Sequence, residues 1–401
     1  MKPSNMRPGV CAAFLVQRVS PYHHARLAAW AASRPGRTHV IEFRPDETVY
    51  AWAPVTESGG YIRHQTHSNS ALLRLLHELG PRVVVCTGYA DPEISGAVAW
   101  ALGRRVALVT CSDSTRADEP RGWAKEMFKR RVVAAFDSAL IAGKHAHDYL
   151  VSLGFDDGRL FRPWDVVDNR HFFHGAEASR ANAPAERARL NLPERYFLSV
   201  ARFVPKKNLA GLVEAYCLYA ARVGVASWPL VISGAGPLES ELRSRVAAVG
   251  LESRVRFPGF LQYDDLPACY GLAGAFVLPS HSDQWGLVVN EAMAAGLPVL
   301  VSSRCGCAEN LVREGENGFR FDPANVERLA ELLHTIAGSD EVRLATMGSR
   351  SRELVAAYSP EAFADGLEAA IGCALARSPK RNAWMTRLFA RSLAARGVPS
   401  P

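Results

Sequence analysis

Short apolar runs alternate with longer helical patterns along most of this chain, and this alternation narrows its fold more than any other feature. Most runs are five to eight residues long and almost continuously apolar, which is typical of strands buried on both faces of a parallel sheet. The first series of predicted strands spans residues 9–16, 38–43, 82–87, 105–110 and 138–142, with predicted helices at 69–79, 92–102 and 122–136.

A second series follows a polar, alanine-rich segment at 174–193, which contains Pro184 and Pro193 and is expected to connect two domains. Because 401 residues exceed one ordinary core, the two series predict two doubly wound α/β domains facing each other across a cleft. The second series has strands at 196–201, 229–233, 254–257, 275–279 and 298–302 and helices at 208–222, 237–249 and 286–295. The predicted domains are 1–173 and 194–360, and 361–401 is expected to form helices that pack on the N-terminal domain or on a membrane.

The composition indicates a soluble globular protein, and its positive charge favours anionic partners. A generally arginine-rich composition, with basic residues spread along the chain, is the alternative. Apolar residues make up 48% of the chain, charged residues 22%, and the formal net charge is +7. Nucleic acid is disfavoured as the partner, because no recognised module is present and aromatic residues do not alternate with basic clusters. The eight cysteines lie mostly in apolar runs and no secretory signal accompanies them, so we expect a cytoplasmic protein with free thiols.

The segment 380–401 is basic and amphipathic. Trp384 and Met385 each have an apolar residue four positions further on, and Arg387 and Arg391 carry the other side. Such a segment can lie peripherally on the anionic inner face of a membrane. The alternative is a terminal helix packed on the protein itself.

The stretch SDQWGLVVNEAMAAGLPVLVSS places two acids around the predicted start of a helix at Gly286. The unpaired amides at such a start favour a phosphate. These amides belong to Gly286, Leu287 and Val288. We expect Asp283 and Glu291 to accept hydrogen bonds from neutral hydroxyls on either side of this anion-binding socket. Asp283 would then face the sugar, the amides the diphosphate, and Glu291 the ribose. Alternatively, Glu291 is an ordinary helix acid and Asp283 an ordinary loop residue.

The segment SVARFVPKKNLAGLVEA predicts a second half of this socket. Arg202 follows a strand and Lys207 lies five residues later, so the two cations can grip a diphosphate from two sides and offset charge on a departing nucleotide. An ordinary solvated basic loop is the alternative.

Two loops after strands complete the predicted donor site. VISGAGPLESEL carries Gly234 and Gly236 in a short glycine turn, which is only part of a dinucleotide fingerprint. In RVRFPGFLQYDDLPACY, the loop with Phe260 and Leu261 offers backbone groups to a nucleobase.

These strings give the region 195–325 a family resemblance. ARFVPKKN, SGAGPL, VRFPGF, SDQWGLVVNEAMAAGLPVLVS and CGCAENLVREGENGFRF resemble the nucleotide-sugar domain of the retaining family 4 glycosyltransferases, which have the GT-B fold. The resemblance implies that Arg202 and Lys207 bind the diphosphate and Glu291 the ribose. The amides around Gly286 would hold the distal phosphate and sugar. Asp283 stands where the family usually has a glutamate that touches the donor sugar.

The N-terminal half resembles the family only loosely. Family members often have a histidine near the reacting carbon; here the strand end VTCSDST offers Asp113 as the cleft-facing candidate. His23 and His24 follow the first predicted strand and are expected on the acceptor side, although helix-start or packing roles are the alternative.

The sequence therefore predicts a retaining glycosyltransferase that moves a sugar from a nucleoside-diphosphate sugar to a hydroxyl acceptor in glycan, polysaccharide or glycoconjugate synthesis. Asp283, Glu291, Arg202, Lys207 and Asp113 are the expected catalytic residues. No cofactor is expected, and no metal is expected because Arg202, Lys207 and the helix amides already balance the charge of the diphosphate. Cys305-Gly-Cys307 lacks a second ligand pair for a metal site. A sugar-nucleotide epimerase of the same fold and a non-catalytic sugar-nucleotide-binding protein are the alternatives.

Overall fold

The computed structural model describes residues 11–33, 36–46, 52–88, 91–117 and 123–377. The chain divides into two compact units. Unit 1 comprises residues 1–166 and 360–401, and unit 2 comprises residues 167–359. Each unit is built around one parallel sheet covered by helices.

The sheet of unit 1 has seven parallel strands in the order β3-β2-β1-β4-β5-β6-β7. Its strands are β1 (Ala12–Val16), β2 (Thr38–Glu42), β3 (Ile62–Gln65), β4 (Val83–Thr87), β5 (Ala107–Ser112), β6 (Ser138–Ile141) and β7 (Leu160–Phe161). Its helices are α1 (Pro21–Ala32), α2 (Asn69–Leu79), α3 (Pro92–Arg104), α4 (Trp123–Val133), α5 (Lys144–Ser152) and, at the end of the chain, α15 (Pro360–Arg377). The strand order reverses between β1 and β4, where open α/β sheets form a crevice at their carboxyl edge.

The sheet of unit 2 has six parallel strands in the order β10-β9-β8-β11-β12-β13. Its strands are β8 (Phe197–Val200), β9 (Leu230–Ser233), β10 (Val255–Gly259), β11 (Ala275–Leu278), β12 (Val299–Ser302) and β13 (Gly318–Phe321). Its helices are α6 (Asn169–Ala181), α7 (Ala183–Leu190), α8 (Leu209–Val223), α9 (Glu239–Ala248), α10 (Leu266–Gly271), α11 (Leu287–Ala294), α12 (Ala308–Leu311), α13 (Val326–Ala337) and α14 (Glu341–Val355). Here the order reverses between β8 and β11.

The predicted doubly wound α/β class is confirmed, and every predicted strand has a counterpart in the two sheets. The strands that the sequence did not predict are β3, β7 and β13. Strand β3, IRHQ, is an edge strand with mostly exposed side chains, and β7 is only two residues long. Edge strands need no continuous apolar run, so an apolar pattern does not reveal them.

The predicted interdomain connection at 174–193 is wrong. The segment belongs to unit 2 and is mostly helical, forming the greater part of α6 and all of α7. The carboxylate of Asp168 caps α6, whose Phe172 and Ala176 are buried, and Pro184 lies in the first turn of α7, where proline is tolerated. Its alanine and arginine content therefore encodes helices, and the unit boundary falls at 166/167 rather than 173.

After unit 2 the chain returns to unit 1 through α15. Phe363, Leu367 and Ile371 are buried there, and the Ser138 hydroxyl donates a 2.7 Å hydrogen bond to the carbonyl of Ala370. The predicted membrane segment at 380–401 lies outside the described residues.

One helical stretch within the described residues, Pro205–Ala226, is long and apolar enough to cross a membrane by length and composition alone. Its α8 portion buries Leu212, Tyr216 and Tyr219 in the core of unit 2. Its apolar character is therefore that of a core helix.

Packing of α6 on α10 yields a stability prediction. A Cβ on Gly271 would lie 2.8 Å from Cα of Ala176 and 2.9 Å from its carbonyl oxygen, so Gly271→Ala forces two helix backbones apart. We expect the free energy of unfolding to fall by about 1–3 kcal/mol, as for other overpacked sites. Urea denaturation followed by circular dichroism measures it.

The matched control is Gly372→Ala in α15, where a Cβ would meet no atom within 4 Å. This variant should gain about 0.5–1 kcal/mol from helix propensity. Equal stability of the two variants would show that α6 and α10 do not pack as described.

Candidate functional site

The candidate site of unit 2 lies where the sheet changes direction. One loop follows β8 and carries Arg202 and Lys207, and another follows β11 and carries Asp283. Because β8 and β11 are adjacent parallel strands, their carboxyl ends meet at the switch point of the sheet. The structure thus brings the two predicted loops together.

Lys207 and Asp283 form an ion pair, in which the ammonium donates to Oδ2 of the carboxylate. Only 14% of the lysine side chain and 13% of the aspartate side chain are exposed. An ammonium has three donor hydrogens, so pairing with Asp283 leaves donors for a second anion.

Asn208 holds this lysine loop against its neighbours. Its side-chain amide donates to the carbonyls of Pro279 at 3.1 Å and Pro323 at 2.9 Å, so it joins the ends of β11 and β13. Asn208 adopts φ 51°, a left-handed conformation that asparagine tolerates. The amide of His281 also donates to the carbonyl of Lys206 at 2.9 Å.

Gly286 caps α11 with φ 99°, so the helix begins at Leu287, one residue later than predicted. A Cβ at Gly286 would lie 2.9 Å from Cδ2 of Leu278 and 3.8 Å from Oδ2 of Asp283. Glycine is therefore required both by the backbone conformation and by this close approach. The second distance places the carboxylate of Asp283 beside the residue at which α11 starts. Contact of the Gly286, Leu287 and Val288 amides with a phosphate stays a prediction.

Glu291 is fully buried, and its Oε2 accepts a 2.7 Å hydrogen bond from the hydroxyl of Tyr270. The contact joins α10 to α11 and satisfies part of the hydrogen-bonding capacity of a buried carboxylate. The role of Glu291 toward ribose hydroxyls stays a prediction.

Gly234 and Gly236 pack on the arginine loop. A Cβ on Gly234 would collide with the carbonyl oxygen of Ala201, and one on Gly236 would lie 2.6 Å from that of Phe203. The amide of Phe203 also donates to the carbonyl of Ala235 at 2.8 Å. These contacts support the loop that carries Arg202; ligand contact by the two glycines remains a prediction.

The predicted nucleobase loop follows β10. Phe260 is half-buried and Leu261 is buried, and both come directly after Gly259. The carbonyl of Gly259 accepts hydrogen bonds from the Ser233 hydroxyl at 3.0 Å and the Gly234 amide at 2.9 Å. The loop is thereby tied to the glycine turn.

The Cys305-Gly-Cys307 segment supports the loop that carries Asp283, a role that the sequence pattern does not indicate. The Gly306 amide donates to the carbonyl of Asp283 at 2.9 Å, and the Cys307 amide donates to that of Trp285 at 3.1 Å. A Cβ on Gly306 would collide with the carbonyl oxygen of Gln284. Burial raises the pKa of the Cys305 thiol. Within the described residues no group of three or more His, Cys, Asp or Glu side chains is placed to hold a metal ion.

In unit 1, Asp113 follows β5 and the predicted histidines lie in α1, which follows β1. His23 completes a capping box with Ser20. Nδ1 of His24 lies 3.0 Å from the Tyr61 hydroxyl. Both histidines thus have local structural partners, and their role toward an acceptor stays a prediction.

Arg26 is a buried cation that the sequence analysis did not single out. It donates to the carbonyl of Val166 at 3.0 Å and 2.9 Å and to Asp165 at 3.4 Å, and its guanidinium lies 4.6 Å from the ring centre of Trp164. Burial lowers the pKa of Arg26, and the negative charges of Asp165 and Asp113 oppose that shift. In the sequence, the only indication of this buried cation is an arginine within the apolar pattern of a helix.

Residues 183–354 match the family model described as glycosyl transferases group 1. The match lies entirely within unit 2. Unit 2 is therefore similar to the glycosyl transferases group 1 family over most of its length, in agreement with the predicted resemblance.

Curated relatives of the chain include several named as glycosyltransferases. It is similar to a GDP-mannose-dependent alpha-(1-6)-phosphatidylinositol monomannoside mannosyltransferase of Mycobacterium tuberculosis, with 33% identity over 188 residues. It is also similar to mannosylfructose-phosphate synthase of Agrobacterium fabrum, with 29% identity over 192 residues. The matches cover 43% and 46% of this chain and 48% and 39% of the relatives, so the chain spans about half or less of their length.

Solved structures share the fold over most of the chain. The crystal structure of HepE of Anabaena in complex with UDP matches with a TM-score of 0.71 and 17% identity, covering 90% of this chain and 100% of HepE. Sucrose-phosphate synthase of Thermosynechococcus elongatus matches with a TM-score of 0.69 and 20% identity, covering 89% and 96%. The chain thus has the GT-B fold, with two Rossmann-like domains.

The environment of His23 yields a pH prediction. Enclosure of the ring, and secondly the charge of Arg26, lower its pKa to about 3, whereas an unfolded histidine titrates near 6.5. The unfolded state therefore takes up the proton first, so this contribution to stability is complete above pH 6.5 and is lost as the pH falls toward 3. The variant His23→Asn keeps a short hydrogen-bond acceptor at the capping position. When the pH falls from 7.5 to 5, we expect its free energy of unfolding to decrease by about 1–2 kcal/mol less than that of wild type.

Urea denaturation at the two pH values measures this difference. The exposed His67→Asn is the matched control and should follow wild type. An unchanged pH dependence in His23→Asn would mean that His23 is not enclosed as described.

Proposed function

We propose that this chain is a retaining glycosyltransferase that moves a sugar from a nucleoside-diphosphate sugar to a hydroxyl acceptor. The observation that carries the proposal is the Lys207–Asp283 ion pair beside the Gly286-capped start of α11. A cation, helix amides and a carboxylate meet at the switch point of a parallel sheet, inside the region that matches the glycosyl transferases group 1 model. This chemistry suits an anion that carries a polyol.

The donor would bind in the order in which these groups lie. The free donors of Lys207, the first-turn amides of α11 and Arg202 would hold the diphosphate. Asp283 would accept from hydroxyls of the transferred sugar, and Glu291 from the ribose. Because Asp283 pairs with Lys207, its carboxylate lies beside the position proposed for the phosphate.

The reaction would need no protein nucleophile. The acceptor oxygen bonds to the anomeric carbon as the bond from that carbon to the phosphate oxygen breaks. The departing diphosphate takes the acceptor proton on the same face, so configuration is retained. Lys207, Arg202 and the α11 amides would stabilise the charge on the leaving group, and the reaction would therefore need no metal ion.

The comparisons suggest substrate classes. The relatives are named for transfer of mannose to a phosphatidylinositol mannoside and for synthesis of mannosylfructose phosphate, and HepE is recorded with UDP and with UDP-glucose. We propose a hexosyl donor on UDP or GDP and a saccharide, lipid-linked saccharide or metabolite acceptor. The eight free cysteines support a reducing, cytoplasmic location.

Lys207 carries the first test. We expect Lys207→Met to lower kcat/KM by about 100-fold or more, because one charge-stabilising donor at the leaving group is lost. Lys206→Met is the matched control, since Lys206 is adjacent and exposed and only its backbone carbonyl serves the loop. It should stay within about threefold of wild type.

The assay uses UDP- and GDP-hexoses with a panel of saccharide acceptors in EDTA, and NMR identifies the anomer formed. Transfer that persists in EDTA with the anomeric configuration of the donor supports the whole proposal. An inverted product would overturn retention, and conversion of donor without acceptor would indicate an epimerase. Equal activities of the two lysine variants would remove Lys207 from the site.

Glu291 carries the second test, which reports on the ribose alone. Wild type should bind UDP or GDP about 10-fold or more tightly than the 2′-deoxy form, because a hydrogen bond to a buried charged group is lost. Glu291→Gln should weaken binding of the ribose form and bring this ratio close to one. Isothermal titration calorimetry with all four nucleotides measures it.

The exposed Glu327→Gln in α13 is the matched control and should keep the wild-type ratio. A general loss of stability in Glu291→Gln would weaken both nucleotides alike and leave the ratio unchanged. An unchanged ratio would therefore place the ribose elsewhere.

A further inference from the structure

Helix α4 of unit 1 exposes a large apolar surface. The side chain of Trp123 is 81% exposed and that of Met127 is 44% exposed. Arg130 and Arg131, further along the same helix, are also exposed. Exposed apolar side chains that are contiguous on a domain surface commonly mark a binding site.

These four residues share one side of α4. Since an α-helix turns by about 100° per residue, positions 123, 127, 130 and 131 fall within an arc of about 100°. We call this arc the Trp123 face. The opposite side of the helix already packs on unit 1, where Val132 and Val133 are buried and Phe128 lies against the same core. The Trp123 face is thus additional to the apolar side that the fold uses.

Charge decides which occupant this face fits. Helix α4, WAKEMFKRRVV, carries four cationic residues and one acidic residue. The terminal segment 378–401 has five basic residues and no acid, so it would be repelled, and a second copy of the same face would be repelled as well. An anionic partner is favoured.

Tryptophan and methionine beside arginines suit the boundary of an anionic lipid bilayer. Amphipathic tryptophan favours the headgroup level, and each cation near an anionic surface strengthens the attraction. We propose that the Trp123 face docks unit 1 on an anionic lipid surface, with Trp123 and Met127 entering the headgroup boundary and Arg131 facing lipid phosphates. This goes beyond the proposed transfer reaction, no step of which uses α4.

The experiment is co-sedimentation of the full chain with vesicles of phosphatidylcholine alone or mixed equally with phosphatidylglycerol. Wild type should bind the anionic vesicles at least 10-fold more strongly than the neutral ones. The double variant Trp123→Ser/Met127→Ser should lose about 10-fold in binding to anionic vesicles. Arg131→Gln should lose less and flatten the salt dependence; Arg130 is left intact because it also donates to the carbonyl of Leu153 at 3.3 Å.

Two controls separate this face from other apolar surface. Val342→Ser removes another exposed apolar side chain, 77% exposed on α14 of unit 2, and should bind like wild type. Trp384→Ser/Phe389→Ser alters the basic terminal segment in the full chain, and anionic binding that still depends on Trp123 in this background supports the proposal. Circular dichroism checks that every variant is folded.

Three results would overturn the proposal. The first is absence of binding by wild type, and the second is wild-type binding by Trp123→Ser/Met127→Ser. The third is a dimer, seen by analytical ultracentrifugation without vesicles, that this double variant abolishes, because a second copy would then cover the face. None of these results depends on glycosyl transfer, so they leave the tests of Lys207 and Glu291 independent.

Discussion

The arrangement of the candidate donor site depends on how closely three loops approach at the carboxyl edge of the unit 2 sheet. The Asn208 amide joins the lysine loop to the ends of β11 and β13, and Gly306 lies against the loop after β11 with no room for a Cβ. These contacts place the ammonium of Lys207 against the carboxylate of Asp283. Because the loop backbones contact each other directly, the two opposite charges are held in place without a network of long, flexible side chains. The same contacts keep the start of α11 beside the ion pair.

Much of this architecture could be predicted, because buried parallel strands and strand–loop–helix junctions leave strong patterns. The apolar runs at β8 and β11, together with the rule that ligands bind at carboxyl ends, suffice to predict that Lys207 and Asp283 meet. The incorrect prediction of an interdomain connection at 174–193 has a physical reason. A polar, alanine-rich helix that buries only one narrow side resembles a linker in composition, and its packing partner α10 is about ninety residues away in the chain.

What the sequence could not disclose are contacts that depend on distant backbone. The collision that excludes a side chain at Gly234 involves Ala201, and the burial of Glu291 is matched by Tyr270 on another helix. The sequence around such a glycine or such a glutamate is equally compatible with ligand binding and with a purely structural role. Arg26 is similar, since its partners Asp165 and Val166 lie about 140 residues away. Buried charges are tolerated only with such partners, which three-dimensional structure alone reveals.

The discontinuity of unit 1 has a consequence for biosynthesis. Its core includes α15, whose Phe363 and Ile371 are buried and whose Ala370 accepts from Ser138, yet this helix follows the whole of unit 2 in the chain. A ribosome therefore releases a complete set of unit 2 residues before unit 1 receives its last element. The apolar surface that α15 covers in unit 1 therefore stays exposed while nearly two hundred further residues are synthesised. A chaperone that binds this surface would act during that interval.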